Sequence, residues 1–257
     1  MSKNTEALEN VTPPSSVWES MAVHVILFPT TSGIASAYDL WKGLTGEDPQ
    51  KTERKNGEVR ASGLFRGQNL TLISDHNKLV WVATPVPDFD DIDEMDTLGN
   101  INQALQVFLD YIKPWVTKSC PEILRIGLGG KVIQFTDTTE VGRETLSGLL
   151  PDVKVSSEIY DFSYRVNRKR NSAVGVENMH INRLVTWSYA KMVVSRMEVS
   201  GQGVDAKNTS EREGCMVDFD INTPPERKLP IPADKVIALI DELSHIAIDV
   251  IERGDRR

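Results

Sequence analysis

PEILRIGLGGKVIQF, residues 121–135, decides how this chain is read, because an apolar strand pattern starts there again directly after a long amphipathic helix. Before it the pattern gives strand 21–28, helix 33–44, strands near 58–65, 68–74 and 78–84, and helix 97–113. After it the same order returns as strand 123–135, helix 138–150, strands near 153–166, 180–190, 192–199 and 215–221, and helix 232–252. The expected fold class is therefore α+β: two β-α-β-meander-α units whose antiparallel sheets pack on long amphipathic helices. Residues 1–17 read as a disordered tail, 18–118 as the first unit and 119–257 as the second.

The elements rest on periodicity. MAVHVILF at 21–28 is an almost unbroken apolar run, the composition of a strand buried on both faces. Val59, Ala61, Gly63 and Phe65 alternate with polar residues, as do Leu70 and Leu72, so a meander follows. Its turns fall at Arg66-Gly67 and Asp75-His76-Asn77, and Asn56-Gly57 tolerates the positive φ of a further turn inside a polar loop at 47–57. Leu98, Ile101, Leu105, Phe108 and Ile112 recur at helical spacing until Pro114 ends or kinks the helix. Val236, Ile240, Leu243, Ala247 and Val250 mark the second long helix, predicted to occupy a position equivalent to the first. Residues 167–179 and 200–214 read as polar connections, the second exposed and mobile. Gly127, Gly129 and Gly130 lie inside an apolar strand pattern and indicate a bulge, a bend or close backbone packing rather than a phosphate loop.

Composition restricts the function classes. The 257 residues are 40% hydrophobic and 26% charged, enough for a sizeable core, and carry a formal net charge of −8. That charge disfavours nonspecific binding to nucleic acid or anionic lipid and suits a basic partner. Cys120 and Cys215 are the only cysteines, too few for a disulfide scaffold or a cysteine-built zinc site, and read as reduced, packed thiols. No signal-peptide h-region and no membrane-length apolar run occurs, which predicts a cytoplasmic protein with no membrane contact.

The most concentrated charge is the run Asp88, Asp90, Asp91, Asp93, Glu94 and Asp96. Counted as an EF-hand from Asp88, the sixth and twelfth positions are Asp93 and Gly99, so that motif fails and no metal is assigned. The acids instead suit a solvated linker or counter-charges for a basic protein, with Asp88, Asp90, Asp91 and Asp93 as its partner-binding residues. Arg165, Arg168, Lys169 and Arg170 form the one strongly basic cluster, after Tyr160, Phe162 and Tyr164; core packing explains the aromatics better than base stacking, and Arg168 and Arg170 join the partner-binding candidates. Four histidines lack metal spacing, and no nucleophile elbow is present, so no catalytic residue or cofactor is assigned.

With PEILRIGLGGKVIQF after the first long helix and DFDINTPPERKLP, residues 218–230, before the last, the chain resembles a sporadically distributed bacterial family of uncharacterised cytoplasmic proteins. The resemblance covers most of residues 18–252. It implies an accessory role in toxin–antitoxin or antiviral defence loci and brings no catalytic residues with it. The leading expectation is a noncatalytic protein-binding module, antitoxin-like or defence-accessory, with homo-oligomers open to it. The alternative is a small-ligand binder with an apolar cavity between sheet and helix, lined by Trp81, Trp187 and Tyr189. A metal-dependent hydrolase or nuclease ranks last, for want of ligand spacing.

Overall fold

The structure, a computed structural model, describes residues 17–30, 36–88, 95–156, 158, 161–200 and 203–256, with the backbone alone at 194–200 and 203–210. The expected tail, apart from Val17, lies outside the described residues. The elements are β1 (Glu19–Pro29), α1 (Ala37–Thr45), β2 (Lys51–Lys55), β3 (Glu58–Phe65), β4 (Gln68–Ser74), β5 (Leu79–Thr84) and α2 (Ile101–Ser119). They continue as β6 (Ile123–Thr136), α3 (Thr139–Leu149), β7 (Ser163–Asn171), β8 (His180–Ser200), β9 (Gly203–Asn222) and α4 (Ala233–Arg253).

All nine strands join one antiparallel sheet in the order β2-β3-β4-β5-β1-β6-β9-β8-β7. One sheet thus takes the place of the two expected, because β1 and β6 pair with each other at its centre. In each half the last strand returns beside the first: β5 flanks β1, and β9 flanks β6. The turns have the chemistry the sequence asks for. Asn56-Gly57 and Arg66-Gly67 all take positive φ, and the Asp75 carboxylate accepts from the backbone N–H of Asn77 at 2.7 Å.

Each helix is started by a residue suited to the task or docked by an apolar stripe. Ser36, Asn100 and Thr138 accept a backbone N–H of the first turn at α1, α2 and α3, and Gly46 closes α1 in the left-handed region. Leu105, Phe108, Leu109 and Ile112 of α2, and Leu239, Leu243, Ile246 and Val250 of α4, are buried. Burying each such apolar side chain contributes about 1.5–3 kcal/mol. Pro114 does not end α2; the helix runs five residues beyond it, because Trp115 and Val116 are buried and hold the last turn to the core.

Three other expectations are corrected. The 47–57 loop contains β2, an edge strand whose five residues are all exposed. Of the 167–179 connection, 167–171 belong to β7, while 153–156 are not strand. The 200–214 loop is largely β9, which from Gly203 pairs with β8. Beyond Met192 and Arg212 these two strands pair only with each other, as a ribbon of about ten residues per arm that is about 33 Å long at full extension.

Candidate binding face

Strand alternation gives the sheet two unlike faces. In β1, Val23, Val25 and Leu27 are wholly buried, whereas Ala22, His24, Ile26 and Phe28 on the other side are half-buried. The run expected to be covered on both sides is therefore central in the sheet but covered on one side only. The register carries this division across the molecule: His24 lies opposite Val82 of β5, which lies opposite Thr71 of β4, then Ser62 of β3 and Lys51 of β2. In the other direction His24 lies opposite Gly129 of β6, followed by Asp220 of β9, Leu184 of β8 and Asn167 of β7.

All four helices sit against the opposite, inner side. Trp41 of α1 and Trp115 of α2 both pack on Trp81 of β5, with ring centroids 6.0 and 5.3 Å away. Gly142 of α3 lies against the ring of Tyr189, and its carbonyl accepts from the Cys215 thiol at 3.1 Å. Past the end of α4, Asp255 meets Arg168 of β7. Trp81, Tyr189, Cys215 and Arg168 are all inner-face residues by register. Among the described elements no helix covers the outer face.

At the middle of that outer face β6 offers bare backbone, and its neighbours lean over it. A Cβ on Gly129 would overlap the imidazole of His24, and on the inner side one on Gly130 would come within 2.5 Å of the Ala22 carbonyl, so close packing is why both glycines are there. From the other side Asn222 lies over Gly127; its amide donates to Asp220 at 2.9 Å and its oxygen accepts from Asn182 at 3.1 Å. Burial lowers the His24 pKa, with the Asp220 carboxylate opposing, which favours the neutral imidazole. Arg125 lies 4.4 Å from the Phe28 ring centroid, and its Nε is buried with no hydrogen-bond partner among the described residues.

The two halves of this face differ in chemistry. On β4, β5 and β1 it presents Ile73, Val82, Ile26 and Phe28. On β9, β8 and β7 it presents Asp220, Asn222, Thr186 and Ser188 around Leu184, and at the edge Arg165 and Lys169.

The residues singled out from sequence are not gathered at one site. The backbone N–H of Asp88 donates to the Asp96 carboxylate at 3.1 Å, while Asp90, Asp91 and Asp93 lie outside the described residues. Alternation splits the basic cluster: Arg168 and Arg170 point inward, to Asp255 and, at 3.9 Å, to Glu242, whereas Arg165 and Lys169 point outward. Trp81 and Trp187 are buried core residues, and the half-buried Tyr189 donates its hydroxyl to Glu213. Sequence reasoning missed His24, Gly129, Asp220, Asn222 and Arg125 as a group. The available signal was the alternation of Asp218, Asp220 and Asn222 with Val217, Phe219 and Ile221, which marks a polar outer face.

Among the described residues no group of three or more His, Cys, Asp and Glu side chains is placed to hold a metal, and no helix is long and apolar enough to cross a membrane. No protein-family model matches this chain, and a search of curated proteins found no match either.

Proposed function

We propose that this protein is a noncatalytic protein-binding module that works through the uncovered outer face of its sheet. The observation that carries this reading is the one-sidedness of the fold: four helices share the inner side, while Ile73, Val82, Ile26 and Phe28 form an apolar tract on the outer side. A contiguous tract of this kind, rimmed by polar residues, is the ordinary anatomy of a protein interface. An antitoxin-like or defence-accessory role for this chain, engaging its partner through that face, is one form of the proposal. The doubled strand order supports a further part of the reading, that the halves are diverged copies of one β-α-β-meander-α unit. One copy then supplies the apolar and the other the polar half of the face.

The test is site-specific photo-crosslinking in the source cell, with the crosslinker at Val82, at Ile26 and, as a control on the helix side, at the exposed Val107 of α2. The same second protein should be captured from both outer-face positions and not from Val107. Equal capture from Val107, or none from the sheet, would overturn the proposal.

A further inference from the structure

We infer that the partner brings an acidic segment to this face, laid across the strands with its carboxylates over β7. The inference rests on the binding-face reading and adds the partner's chemistry. Its carrying observation is a contrast within one strand. The inward cations of β7, Arg168 and Arg170, are each met by a carboxylate of the chain, Asp255 and Glu242. The outward ones, Arg165 and Lys169, are exposed and have no carboxylate partner among the described residues. Arg125 is a further outer-face cation, in no salt bridge among the described residues but within the influence of the Asp220 and Glu226 carboxylates. Of the acids on this half, Asp218 is engaged by Lys131 at 3.4 Å and Asp220 accepts from Asn222.

A chain of net charge −8 thus keeps two cations on its uncovered face, Arg165 and Lys169, without a carboxylate partner among the described residues. The Debye length is about 8–10 Å in physiological salt, so a docking segment feels these local charges rather than the net charge. At the opposite edge Lys51 pairs with Glu53, and Arg60 beside it with Glu58, while Arg54 and Lys55 form no ion pair among the described residues, so the edge position alone accounts for some exposed charge and the contrast within β7 carries the inference. The neighbouring tract favours a polypeptide over a nucleic acid as the anion. It is aliphatic apart from Phe28, whose ring is occupied by Arg125, so among the described residues the tract itself leaves no free aromatic ring for bases.

The sheet supplies a ruler. From Ile26 on β1 to Lys169 on β7, which share one register row, is four strand steps, about 19 Å, which about six extended or about thirteen helical residues span. The segment therefore carries apolar side chains at one end and carboxylates at the other.

Fluorescence anisotropy with the full chain tests this, using a labelled peptide with leucines at one end and glutamates at the other. A peptide with lysines in place of the glutamates and a short oligothymidylate serve as comparisons. The leucine–glutamate peptide should bind, and Arg165→Glu with Lys169→Glu should weaken it about tenfold or more, while Lys118→Glu on the helix side leaves it unchanged. The lysine peptide should not bind, and circular dichroism melting should show the charge-reversed protein as stable as the parent. Unchanged affinity after charge reversal, no binding of the acidic peptide, or tighter binding of the oligothymidylate would each overturn the inference. If crosslinking from Val82 and Ile26 still captures one protein, only the acidic character of the partner fails. If that capture is absent as well, the binding-face reading fails with it.

Discussion

Arg168 holds Asp255 with both arms of its guanidinium fork, Nε to Oδ1 at 2.5 Å and a terminal nitrogen to Oδ2 at 2.6 Å. The Tyr164 hydroxyl donates to the same carboxylate at 3.3 Å, and the Asp255 backbone N–H donates to the Leu149 carbonyl at 2.8 Å. The residues after α4 are thereby tied to β7 and to the end of α3. Removing one partner leaves the other charge part-buried and unpaired, so Asp255→Ala should destabilise the protein by about 2–4 kcal/mol. Urea unfolding of Asp255→Ala, Arg168→Ala and the double variant measures this. A coupling energy near zero would show that the pair contributes nothing of its own.

The same pair gives a pH dependence with a definite sign. The hydrogen bond from Arg168 is the main reason the Asp255 carboxyl titrates below its ordinary value of 3.8. On unfolding the group returns to that value, so the unfolded chain takes up the proton first as the solution is acidified. The stabilisation is full above about pH 4 and is lost as pH falls through the lower native value. The difference in Tm between the parent and Asp255→Asn should be constant at neutral pH and shrink only in acid. A gap that widened on acidification would contradict the assignment.

Gly129→Ala should be destabilising, because the added methyl group meets His24 and stands 2.9 Å from the Phe219 carbonyl oxygen. A cost of about 1–3 kcal/mol is expected for overpacking of this kind. His24→Ala in the same protein removes the side-chain obstacle but not the backbone one, so it should recover part of the loss and not all of it. Full additivity of the two changes in thermal unfolding would show that His24 does not lie over Gly129.

Much of this fold is legible in the chain, and what is hidden has physical causes. β3, β4 and β5 are read to within a residue because apolar alternation and turn residues agree there. β2 is hidden because an edge strand of charged, exposed residues shows no apolar period. The second half of β7, 167–171, is hidden because Arg168 and Arg170 occupy inward positions where an apolar residue would reveal the alternation, and ion pairs to Asp255 and Glu242 replace the packing. Of the β8–β9 ribbon, the β8 arm is legible as strand 192–199, but the β9 arm reads as a polar loop because strands that pair only with each other have no core to face. The outer face is hidden for another reason: His24, Gly129 and Asp220 become neighbours only once the pairing of β1, β6 and β9 is known.

Neither thiol should react in the folded protein. Cys120 and Cys215 are unpaired, and burial pushes both up to about 12, far from the range where a thiolate forms at neutral pH. An aromatic disulfide reagent at neutral pH should label both cysteines only after denaturation. Fast labelling of the native chain would mean that the α3 contact with Cys215, or the cover over Cys120, opens readily.

Glu213 marks the root of the ribbon. Its carboxylate accepts from the Tyr189 hydroxyl and from Thr139 Oγ1 at 3.0 Å, and these bonds, Tyr189 first, hold it below the usual glutamate range. One bond comes from β8 and the other from the start of α3, so the carboxylate fastens the ribbon to the helix layer where pairing with the rest of the sheet stops. Glu213→Ala removes that fastening without touching the core beyond Gly214. Amide hydrogen exchange at 191–200 and 203–212 should therefore accelerate, while β6 and the inner half of β9 keep their protection. Uniform loss of protection would make Glu213 a global stability residue. No change at all would show that cross-strand pairing alone holds the ribbon.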